Sequence, residues 1–92
     1  MNLYRQITEG ELRAEIDKMY NEARIWEYED QHNVMHAIKM MSRREAKQEI
    51  KKYFTDVVVC SKFYTRMNKL YFALEWVQSG KPVYTDFMRE DN

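Results

Sequence analysis

The chain has 92 residues, 45% hydrophobic and 33% charged, which describes one small folded domain with a modest core and excludes a disordered tail. Fifteen basic and fifteen acidic residues cancel, excluding both a uniformly basic nucleic-acid binder and a uniformly acidic nucleic-acid mimic. Two glycines and one proline are too few to turn the chain at every reversal of an all-β fold.

In chain order, the opening Met1–Gln6 lacks the apolar centre of a signal peptide. Thr8-Glu9-Gly10-Glu11 is a capping box, in which the Thr8 hydroxyl takes the third helical amide and Glu11 reaches back. It predicts a helix over about 9–29, with Leu12, Ile16, Met19, Ala23 and Trp26 on one face. The polar stretch Glu29-Asp30-Gln31-His32-Asn33 is the expected break. Beyond it, Val34, Ile38 and Met41 form the apolar stripe of a short helix over about 33–41.

Ser42-Arg43-Arg44-Glu45 repeats the capping pattern and opens a long helix, about 43–79. Ala46, Ile50, Tyr53, Val57, Cys60, Tyr64, Met67, Tyr71 and Leu74 follow steps of four and three, the period that keeps one face against a neighbouring helix. Asp56 before Val57-Val58-Val59 is a weak point, because β-branched residues lower helix propensity and Thr55 or Asp56 can cap a fresh helix. The repeat passes through in register, so continuity is expected. Gly80 and Pro82 then end the helix, leaving 80–92 as a tail. The expected fold is all-α: an antiparallel long-helix hairpin or three-helix bundle with an extended C-terminal tail, in one domain spanning 1–92.

Two further stripes lie on the long helix: Val59, Phe63, Leu70, Ala73 and Val77, and, on another side, Phe54, Val58, Phe72 and Trp76. A helix apolar on so many sides must be covered on most of them. Either the tail (Val83, Tyr84, Phe87, Met88) folds back, or a second chain does the covering, as in a homodimer or a complex with a larger protein. Tyr20, Tyr28, Met40, Trp76, Tyr84 and Phe87 are the candidates for that protein contact, since aromatic and Met side chains dominate binding hot spots.

Net charge runs from −4 over residues 1–30 to +6 over 31–70 and −2 over 71–92. Arg43, Arg44, Lys47, Lys51, Lys62, Arg66 and Lys69 fall on one half of the long helix. A solvated outer face is the ordinary account of such a stripe. The functional account is a surface for phosphates or acidic protein, although no helix-turn-helix glycine or RNA-motif box accompanies it.

Chemistry is sparse. His32 and His36 have the spacing of a two-histidine metal clamp with Glu29 nearby, but Asn33 stands where the metalloprotease signature needs its glutamate. Cys60, the single cysteine, lies on the core seam, where it acts as a small apolar residue. No catalytic constellation, cofactor loop or membrane span is evident, and a cytoplasmic location is the default. The expectation is a non-catalytic helical protein, with no cofactor, that binds a larger protein and regulates or inhibits it by occupying a surface. The Met- and Tyr-rich composition resembles that of small accessory proteins of viruses and mobile elements. A nucleic-acid-binding regulator and a structural homo-oligomer are the alternatives.

Overall fold

The computed structural model describes residues 4–88, and these form four α-helices and a short 3₁₀ turn. They are α1 (Glu9–Glu22), α2 (Tyr28–Met40), α3 (Arg43–Lys51) and α4 (Val57–Gln78), with the 3₁₀ turn at Thr85–Met88. The first capping box is made in full. Thr8 Oγ1 accepts from the Glu11 amide at 3.1 Å, and Glu11 Oε1 accepts from the Thr8 amide at 3.2 Å. Ser42 caps α3 by accepting from the Glu45 amide at 3.3 Å.

The first break falls earlier than the polar stretch indicated. α1 stops at Glu22 in a Schellman turn: the Arg24 amide donates to Asn21 O at 3.1 Å and the Ile25 amide to Tyr20 O at 2.9 Å. Arg24 takes the left-handed conformation, φ 59°, that glycine usually supplies there. Ile25 and Tyr20 are both buried beneath the turn. The residues expected to interrupt the chain, Glu29–Asn33, lie instead inside α2. Gln31 is used twice, its side chain donating to Ile25 O at 2.9 Å and its carbonyl accepting from the Tyr20 hydroxyl at 3.1 Å.

The long helix expected over 43–79 is two helices. α3 closes at Lys52 with tightened bonds from the Tyr53 amide to Ile50 O and from the Phe54 amide to Lys51 O. Asp56 then starts α4, its carboxylate accepting from the amides of Val58 and Val59 at 2.8 and 3.2 Å. The bend frees Phe54 to tilt onto Phe63, ring centroids 5.0 Å apart, and Tyr53 to donate to Asp30 of α2 at 3.1 Å. Val57, which an unbroken repeat would place on the core seam, is 66% exposed.

α4 is the central rod. α1 runs antiparallel to it, with Gln78 donating to Glu9 at one end and Tyr20 packed on Phe63 towards the other. α2 and α3 cover the second side of α4 and pack on each other. Leu12, Val34, Ile50, Met67 and Leu70 are the largest fully enclosed side chains, so all four helices share one core. The tail folds back along the N-terminal segment. The Ile7 amide donates to Val83 O at 2.7 Å, the Thr85 amide to Arg5 O at 2.9 Å, and Gln6 and Tyr84 form an antiparallel bridge. Ile7 and Val83 are both buried by this pairing. The tail residues 89–92 lie outside the described part of the chain.

Candidate functional site

The α1 contact covers the stripe with Phe63, Leu70 and Ala73, all buried. The remaining stripe of α4 stays open. Val58, Thr65, Phe72 and Trp76 recur at intervals of seven, seven and four residues and are exposed, so they share one outward side. Phe72 is 59% exposed and lies alongside Trp76, ring centroids 5.9 Å apart and 25° from parallel. Lys81 sits over the Trp76 ring with Nζ 4.1 Å from its centroid. That placement follows from the turn ending α4. Gly80, at φ 81°, donates to Val77 O at 2.9 Å and Lys81 to Trp76 O at 3.0 Å, so the lysine stem lands where a hydrophobic side chain usually closes a Schellman motif.

Next to the aromatic pair is a shallow depression between α2 and α4, lined by Ile38, Lys39, Asn68, Tyr71, Phe72 and Glu75. A Lys39–Glu75 ion pair at 3.5 Å spans it.

The other expected contact residues are dispersed. Tyr28 and Met40 are exposed at opposite ends of α2, at 83% and 72%. Tyr84 is exposed on the paired tail, and Phe87 is half-buried under Lys69, whose Nζ lies 4.7 Å from the ring centroid. Tyr20 is not available for contact at all. It is buried, donates to Gln31 O, and so accepts from the Tyr71 hydroxyl at 2.7 Å. Burial pushes the Tyr20 hydroxyl far above the ordinary phenol range. Trp26, expected on the inner face of the first helix, is 64% exposed because α1 ends before it. Its indole donates to Asn21 Oδ1 at 2.9 Å.

The basic residues do not form one face. Arg43 and Lys47 lie over the Tyr64 ring, and Lys47 donates to Ser61 at 3.1 Å. Arg66 is drawn inward, donating to Met88 O at 2.9 Å and facing Glu15 of α1 at 3.8 Å. Its buried Nε has no partner in the structure. Arg44, Lys51 and Lys62 are exposed. The break between α3 and α4 puts the two halves of the sequence stripe on different helices.

Among the described residues, no group of three or more His, Cys, Asp or Glu side chains is arranged to hold a metal ion. His32 and His36 are exposed, and the His32 ring stacks on Tyr28 at 6.4 Å. Cys60 is buried, and burial raises its thiol above the ordinary range despite the opposing fields of Lys47 and Lys51. No described helix is long and apolar enough to cross a membrane. Comparisons with protein-family models, with characterised proteins and with solved structures found no match to this chain.

Proposed function

We propose that this chain is a non-catalytic helical protein that docks onto a larger protein through the outer side of α4 and regulates it by covering the contacted surface. The observation supporting this reading is the Phe72–Trp76 pair, two large rings held side by side and left in solvent. Isolated exposed apolar residues are ordinary, but adjacent oriented aromatics are the composition of binding hot spots. The pair is also pre-ordered. Its helix is anchored by α1 and α2, and Lys81 restrains the indole, so little side-chain freedom is lost on binding.

A single-stranded nucleic acid is a poorer occupant. Base stacking needs an open ring face, and the Trp76 face carries Lys81. The bases that would track phosphates are divided between aromatic rings, an internal clamp and two helices.

The test is capture of partners from native host lysate with the purified chain as bait, compared with a Phe72→Ala/Trp76→Ala bait. Both side chains are exposed, so helical circular dichroism should be unchanged while recovery of the specific partner falls at least tenfold. Undiminished recovery with the double variant would reject α4 as the docking side. Recovery dominated by nucleic acid, abolished at high salt, would replace the reading with the electrostatic one.

A further inference from the structure

The outward side of α2 carries a pair of metal-ligating side chains that the docking face does not use. The inward side of this helix is Val34, Ala37 and Ile38, all buried. His32 and His36 lie on the opposite side, and both are exposed. Four residues apart on one helix, they stand one above the other with Cβ atoms about 5–6 Å apart. Two imidazole nitrogens sharing one cation each sit about 2 Å from it. Side-chain rotation alone brings the two rings to that separation, with the backbone left in place.

Both rings are free to bind. Among the described residues, neither imidazole makes a hydrogen bond or an ion pair. The ring contact of His32 is with Tyr28, one turn earlier, at 20° from parallel. Tyr28 therefore backs His32 on the side away from His36. The nearest charges on the helix also favour a cation. Glu29, three residues before His32, is exposed and in no ion pair. Lys39, three residues after His36, is drawn away to Glu75 and lies over the Tyr71 ring. The first turn of α2 is already fixed, by Tyr53 donating to Asp30 and by Gln31 donating to Ile25 O. Binding thus orders two side chains and no backbone.

We propose that His32 and His36 form a two-point site for a divalent transition-metal cation, held by both imidazoles and completed by water. Imidazole suits nickel, copper and zinc, whereas magnesium and calcium take oxygen ligands. A closed structural zinc centre takes four protein ligands. Two leave the ion exchangeable with solvent, and the chain folds without it. The pair stands on α2 and the Phe72–Trp76 pair on α4, so this inference is independent of the proposed docking function.

Isothermal titration of the chelator-cleared chain with nickel, from micromolar to millimolar, tests it. One nickel ion should bind per chain, with manganese weaker and magnesium silent. His32→Asn and His36→Asn should each weaken nickel at least tenfold with circular dichroism unchanged. Relocation then separates chelation from the mere number of histidines, because Met40 is exposed and stands one turn beyond His36. His32→Asn/Met40→His restores a pair four residues apart and should recover nickel affinity. His36→Asn/Met40→His keeps two imidazoles, now about 12 Å apart along the helix, and should bind no better than a single-histidine variant. Absence of nickel binding, affinity indifferent to either single substitution, or equal affinity of the two relocated pairs would overturn the proposal.

Discussion

Two tyrosines illustrate how single polar atoms are accommodated in this core. Tyr71 donates to Tyr20, and Tyr20 donates to the Gln31 carbonyl, so three elements are joined by two buried hydrogen bonds. Tyr71→Phe deletes one bond and leaves Tyr20 donating to Gln31, a loss of about 1 kcal/mol. Tyr20→Phe deletes both bonds and strands the Tyr71 hydroxyl, so a loss of about 2 kcal/mol is expected. Urea denaturation of the two variants should rank them in that order, and the double variant should cost less than the sum. At the surface, the Arg5 side chain and the Thr8 backbone hold the Glu11 carboxyl at about 2, below its ordinary 4.5. A carboxyl depressed on folding stabilises the fold above its unfolded value and loses that contribution as pH falls through its folded value. The melting-temperature gap between the unmodified chain and Glu11→Gln should therefore be fully open at pH 7, narrow below about 4.5 and close near pH 2.

At the scale of elements, the turns decide the architecture. Arg24 holds a left-handed backbone position, which costs an L-residue about 1 kcal/mol relative to glycine, so Arg24→Gly should raise stability by about that much in thermal melts. Asp56→Ala removes the cap on two α4 amides and should cost about 1 kcal/mol by the same measurement. These two turns also mark the limit of what the sequence made legible. The capping box at Thr8, the side-chain cap at Ser42 and the stop at Gly80 were readable because their residue types are specific to the geometry. The end of α1 was hidden because an arginine fills the glycine position, and the polar run Glu29–Asn33 looked more like a break than a helix start. The α3–α4 break was visible as a candidate at Asp56 and overruled by a heptad repeat that continues across it. What a repeat cannot report is that Phe54 and Tyr53 gain partners, Phe63 and Asp30, only if the chain bends. The same bend scattered the basic stripe. Of the expected contact residues, the exposure of Trp76 was legible from its stripe. Tyr20 was not, because a tyrosine reads alike whether its hydroxyl meets water or a buried partner.

For the whole molecule, one core is drawn from four helices and closed by pairing between residues near the two ends of the described chain. Arg66 reinforces this closure by gripping Met88 O from the middle of α4. Cys60 lies in the first turn of α4, shielded to 4% exposure and with its amide bonded to Asp56 O at 3.0 Å. With its thiol proton held more firmly by burial, alkylating reagents reach it only when the surrounding structure parts. The chain thus carries its own chemical stopwatch. Mass-spectrometric timing of Cys60 alkylation at neutral pH should run about fivefold faster in Asp56→Ala, as a loss of about 1 kcal/mol implies when reclosing outpaces reaction. If fraying of that one helix end admits the reagent, Tyr20→Phe will leave the clock unchanged; if the entire bundle must come apart, both substitutions will hasten it.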